Sequence, residues 1–153
     1  MIRPVTTHNR RIKDFCSWRG LFVISGIDAT TTNDHIIRSE DGRAAVWLGV
    51  VDDLWKMGKA TGVGGPWEDS EVQAGVPSDP YLMNGYDHKS LTLSHKSDNE
   101  VTITVEVDVT GYGDWKTYCA FKVPKGESVV HRFPNDFNAY WVRVISSTDT
   151  TAT

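Results

Sequence analysis

The most constraining feature of this sequence is a run of strict alternation. In Val101-Thr-Ile-Thr-Val-Glu-Val-Asp-Val109 every odd position is apolar and every even position is polar. Successive side chains of a strand point to opposite faces, so this run predicts a strand with one face on a core and the other in water. No helix can use the pattern, because a period of two scatters its apolar residues around the helical cylinder.

The pattern recurs on both sides. Trp115–Val123 alternates again, with Trp115, Cys119, Phe121 and Val123 expected on one face. Pro124-Lys-Gly126 reads as a turn, Glu127–Phe133 as a further strand, and Ala139–Ile145 as a central strand, apolar on both faces. Earlier, Leu21–Ile24 is a short apolar run, and His35–Arg38 and Arg43–Gly49 flank the turn Ser39-Glu-Asp-Gly42 as a hairpin. Pro80–Met83 and Ser90–His95 are two more strands. Asp52–Met57 alone suggests a helical turn, capped by Asp52 or Asp53. The expected fold is therefore all-β: one antiparallel β-sandwich domain, of jelly-roll type, spanning residues 1–153. Its parts are a basic N-terminal arm (1–18), a long irregular Gly/Pro-rich loop (58–80) and a frayed or edge C-terminus (146–153). At 153 residues the chain is long enough to bury a core of this kind.

Charge narrows the partners. The chain carries a net charge of −4, and its first twenty residues hold Arg3, Arg10, Arg11, Lys13 and Arg19 against Asp14. Setting those aside from the 16 basic and 20 acidic residues leaves 11 against 19. A body this acidic argues against nucleic acid, whose phosphates require a basic face. No apolar run approaches the length of a membrane span, and the N-terminus lacks the apolar stretch of a signal peptide. The expectation is a cytoplasmic protein or, if the domain is cut from a longer precursor, a secreted or periplasmic one. Cys16 and Cys119 are expected as buried thiols, with one long-range disulfide as the alternative.

Catalytic signatures are sparse. Gly58-Lys59 is followed by Ala60 where a phosphate loop needs Ser or Thr, and the glycines at 62, 64 and 65 lack a βαβ setting. Asp52/Asp53 and Glu68/Asp69 are adjacent pairs, which cannot straddle a sugar ring. The five histidines are scattered. Asp79, Asn84, Asp87 and His88 offer oxygen-rich ligands for a structural calcium, without the spacing of a dedicated calcium loop. No other cofactor or metal is expected.

Aromatic residues carry the functional reading. Trp47 and Trp141 sit in strands and are expected in the core. Trp67, Tyr81, Tyr86 and Tyr112 lie in or beside loops rich in Gly, Pro and Asp, with Asp87 and Asp114 next to them. An exposed ring covers the apolar C–H face of a sugar, and a neighbouring carboxylate takes its hydroxyls. The Gly58–His88 region, with Gly58–Pro80 at its centre, is the first candidate for ligand contact through Trp67, Tyr81, Tyr86 and Asp87, joined by Tyr112 and Asp114.

Seven segments add a resemblance: Arg19–Gly26, Asp53–Gly58, Gly64–Trp67, Ser78–Met83, Gly85–Asp87, Ser90–His95 and Ala139–Val144. Together they resemble the C-terminal β-rich region of bacterial, often secreted, β-propeller proteins associated with polysaccharide breakdown. The resemblance implies a carbohydrate context and assigns no catalytic residue; with only eighteen residues before Arg19, no propeller site is expected to accompany it. The first expectation is thus a non-catalytic carbohydrate-binding or accessory domain. The second is a structural or assembly domain packing on a partner or on itself. The third is a small glycoside hydrolase or polysaccharide lyase fragment, its carboxylates converging from separate loops.

Overall fold

The computed structural model describes residues 3–7, 11–28, 30 and 32–153. The fold is all-β, and the chain divides into two compact units: Val5–Thr61, and Met1–Pro4 with Gly62–Thr153.

The Val5–Thr61 unit is a four-stranded antiparallel sheet. Strands β1 (Asp14–Trp18), β2 (Leu21–Ser25), β3 (Ile36–Arg38) and β4 (Ala45–Gly49) pair in the order β1-β2-β4-β3. Arg19 and Gly20 close the first hairpin, both at positive φ (50° and 82°). That backbone matches the twist of the flanking strands. Residues 14–18, expected within a basic arm, are therefore half of a hairpin. Thr6 and Thr7 donate hydroxyl hydrogen bonds to the carbonyls of Gly58 and Thr61, both at 2.7 Å. One face of the sheet buries Ile24 and Trp47 with Ile27, against Phe22, Ile36, Leu54 and Met57. Trp47 lies over Gly49, where any Cβ would collide with the indole. The helical turn is a 3₁₀ helix, Val51–Met57; its Asp53 accepts the Val50 N–H at 3.0 Å and pairs with Lys56 at 2.9 Å.

The opposite face of that sheet is apolar too. Pairing places Cys16, Trp18, Val23, Val46, Leu48 and Ile37 on it. Trp18 is 52% exposed and Ile37 58%.

The second unit is a two-sheet sandwich. Its strands are β5 (Ser70–Val72), β6 (Tyr81–Leu82), β7 (Ser90–Ser94), β8 (Val101–Asp108), β9 (Trp115–Val123), β10 (Ser128–Arg132), β11 (Trp141–Ser146) and β12 (Thr150–Ala152). One sheet has the order β6-β11-β8-β9. The pairs β10-β7 and β12-β5 are joined by the His95–Ala152 bridge and by reciprocal bonds between Ser94 and Thr153, and form the facing layer. Between the layers lie Val101, Ile103, Val105, Val107, Val142 and Val144 from the first sheet, joined by Met83 at the end of β6, with Leu93 and Phe133 opposite. Each such side chain, fully buried, contributes about 1.5–3 kcal/mol. The alternation of Val101–Val107 thus does what its period requires.

Two segments are more ordered than expected. Within 58–80 the strand β5 forms. The C-terminal segment supplies its partner β12, with Thr151 donating to Glu71 at 2.8 Å and Asp149 accepting the Ala74 N–H at 2.7 Å. His95, buried beside this seam, contacts the Val123 carbonyl through Nε2 (2.9 Å) and accepts the Ser97 N–H at Nδ1 (3.1 Å). The neutral ring protonated on Nε2 satisfies both bonds. Cys16 and Cys119 are free thiols; contrary to expectation Cys16 is exposed and Cys119 only half-buried, because neither lies in a closed core.

A bulge changes one face. Between Val105 and Glu106 the β8–β9 register slips, so that Cys119 pairs with Val105 but Thr117 with Glu106. Tyr118 is the extra residue, and its ring packs among Phe133 (5.0 Å) and Phe137 (4.9 Å) in the interior. The slip reverses the alternation, so Trp115 leaves the face of Cys119, Phe121 and Val123 and joins the outer one. Trp141, expected in the core, also lies on the outer face, opposite Asp108, because the neighbouring Val142 and Val144 take the inward positions.

Candidate functional site

The site is built at the end of the sandwich where β8 stops. Asp108 is only 1% exposed, yet among the described residues no cation pairs with it. It is held instead by its own loop. Its Oδ1 accepts from the Thr110 N–H (3.1 Å), the Thr110 hydroxyl (3.2 Å) and the Gly111 N–H (2.8 Å); Oδ2 accepts from the Gly113 N–H (2.7 Å). Burial pushes this carboxyl up, but the bonds from Gly113, Gly111 and Thr110 outweigh it and hold it below the ordinary range. Glycine is required on both sides of Tyr112: φ is 81° at Gly111 and 88° at Gly113, and a Cβ on Gly111 would press into the Tyr140 ring.

The product is a loop fixed from within that carries one outward ring. Tyr112 is 85% exposed at its tip. Asp114 follows, paired with Lys116 at 2.8 Å, a hydrogen bond that raises the lysine above its usual range. Trp115 then opens β9 on the outer face. The Arg143 guanidinium lies 4.3 Å from its ring centroid, and Nε and Nη2 both reach Glu106 Oε2 at 2.6 Å. Trp141 stands on the same face, two strands away, at about 10 Å by strand spacing. Aromatic surface and a fixed charge pair thus share one side of the sheet.

The six residues expected from sequence all lie in this unit, in four settings. Tyr112 and Asp114 belong to the loop just described. Tyr81 begins β6, paired with Val142, and its hydroxyl lies where a Cβ on Gly64 would fall. Tyr86 has its hydroxyl against Gly62, and its carbonyl accepts from Lys89 Nζ at 2.7 Å. Lys89 also reaches the Phe137 carbonyl at 3.2 Å; burial lowers its pKa, opposed by the nearby exposed Asp87. Trp67 is half-buried against the hydrophobic core. Tyr140 links the settings: its N–H bonds the Asp108 carbonyl, and its own carbonyl accepts from Met83 and Asn84.

Trp115, Arg143, Glu106 and Asp108 were not singled out by the sequence. Asp108-Val-Thr-Gly-Tyr-Gly113 holds a usable signal, an acidic residue two ahead of a Thr-Gly pair, which is the pattern of a side chain capping its own turn. Elsewhere, an open groove of about 530 Å³ runs beside Glu71, Gln73, Lys96, Asp98 and Asp149, and contains none of the six. In the Val5–Thr61 unit a cleft of about 370 Å³ is lined by His35, Trp47, Asp53 and Lys56. Among the described residues no three His, Cys, Asp or Glu side chains converge as metal ligands. Comparison with family models, curated proteins and solved structures yields no match to this chain.

Proposed function

We propose that the sandwich is a non-catalytic carbohydrate-binding domain, accessory to a carbohydrate-active system. The observation that carries this reading is the Asp108-anchored loop, which spends a buried carboxylate on holding an exposed tyrosine in place. Ordering a contact ring before the ligand arrives reduces the entropy lost on binding. Trp115 extends the apolar surface, and the hydroxyls of a glycan find polar partners in Asp114 and Glu106. The carboxylates here support binding over hydrolysis: Glu106 serves Arg143, Asp114 serves Lys116, and Asp108 serves its loop. Affinity electrophoresis of the full chain through polysaccharide-containing gels tests the reading. Retardation that Tyr112→Ala weakens supports it, and mobility unchanged by every polysaccharide contradicts it.

A specific observation favours a second reading. The exposed apolar face of the N-terminal sheet, with Trp18 and Ile37 largely in solvent, suits a structural domain that packs on a partner. Light scattering that shows a monomer at every concentration, with no partner bound, argues against it.

A further inference from the structure

The charge arrangement of the sandwich points to a class of glycan, and this inference rests on the binding reading above. We infer that the ligand is a neutral polysaccharide rather than one bearing carboxylates or sulfates.

An anionic glycan needs a cation to meet it, and the sheet that carries Tyr112 and Trp115 has three: Lys116, Lys122 and Arg143. Each already faces a carboxylate. Lys116 pairs with Asp114 at 2.8 Å and Lys122 with Glu100 at 3.4 Å. Exposed pairs of that kind are weak and could be exchanged at small cost. The Arg143–Glu106 pair differs. Its side chains are only 24% and 17% exposed, both guanidinium contacts are 2.6 Å, and the cation is stacked on Trp115. Withdrawing Arg143 toward a ligand would leave Glu106 recessed and unpaired, which is far more costly.

The wider field acts in the same direction. Gly62–Thr153 carries 13 acidic and 7 basic residues. Its other lysines are engaged as well: Lys96 with Asp69 at 3.0 Å, Lys125 with Asp98 at 2.7 Å, and Lys89 with two carbonyls. A carboxylated chain reaching from the Tyr112 loop onto the Trp115 face would meet Asp114 and Glu106, and like charges in apposition oppose association. A neutral sugar meets no such barrier. Its C–H face fits the Tyr112 and Trp115 rings, and its hydroxyls donate to carboxylates that a charged sugar would be repelled by.

Affinity electrophoresis of the full chain separates the outcomes. Gels contain neutral β-glucan, xylan or mannan, or anionic alginate or polygalacturonate, each at low and high salt. The expected result is retardation by a neutral polymer that changes less than about twofold with salt. Tyr112→Ala, a change at an exposed tip, weakens it about threefold to tenfold. Asp114→Asn releases Lys116 without touching the core, and Glu106→Gln releases Arg143; each raises retention on the anionic gels. Stronger wild-type retention by alginate or polygalacturonate, abolished by salt, overturns the inference and leaves the binding reading standing. No retention by any polymer overturns both.

Discussion

The two units use the same ingredients, antiparallel strands with alternating faces, and end with different surfaces. In the sandwich a second layer covers the inner face of the first sheet, and eleven buried apolar residues close the core. In the Val5–Thr61 unit the buried cluster among the described residues holds only Ile24, Ile27 and Trp47, and the other face leaves Trp18 and Ile37 exposed. A small unit buries a smaller share of its surface, so it is the more easily unfolded and the more dependent on each large side chain. The lesson is a division of labour: rigid presentation of a ring in one unit, exposed apolar area in the other.

The largest effects should come from breaking each core. Trp47→Ala removes the centre of the three-residue cluster and should cost about 3–5 kcal/mol, with hydrogen-exchange protection lost across residues 14–49 and retained in the sandwich. Ile103→Ala should cost about 2–5 kcal/mol with the loss confined to the sandwich. Protection lost in both units from either change would show that the contrast is misplaced.

His95→Ala comes next. It leaves the Val123 carbonyl and the Ser97 N–H without their side-chain partner beside the β7–β12 seam, at a cost of about 1–3 kcal/mol by chemical denaturation. Unchanged stability would show that water replaces the ring without loss.

Asp108 sharpens the comparison through pH. Its carboxyl lies below the ordinary range when folded, so it stabilises the sandwich above its unfolded pKa of about 3.9. That contribution is lost as pH falls through the lower folded value. Asp108→Asn should flatten the fall in melting temperature below about pH 4. Identical acid profiles for wild type and Asp108→Asn would remove Asp108 as the anchor of the loop. Smallest of all, Tyr112→Ala should change stability by less than about 0.5 kcal/mol, since its ring touches solvent.

Much of this was legible in the sequence. Trp115–Val123 forms a strand with those bounds, because alternation and the Pro124-Lys-Gly126 turn both mark it. The face of Trp115 was not legible, because the Tyr118 bulge depends on rings from β10 and the 134–138 corner. The order of the C-terminus was hidden for a similar reason: Ser146–Thr153 has strand character only once β5 offers an edge. Loop composition placed Tyr112 and Asp114 among the candidate contacts but ranked Gly58–Pro80 above them, since glycine and proline content says nothing of which loop a buried carboxylate will hold.

The account's central claim is that the Tyr112–Trp115 face is where this sandwich meets a glycan. Mapping amide chemical shifts of the full chain on addition of soluble neutral glycan fragments tests it most directly. The account predicts perturbations at residues 110–116, 104–106 and 141–145. Perturbations confined to the groove beside Glu71, Lys96 and Asp149, or none with any glycan, would contradict it.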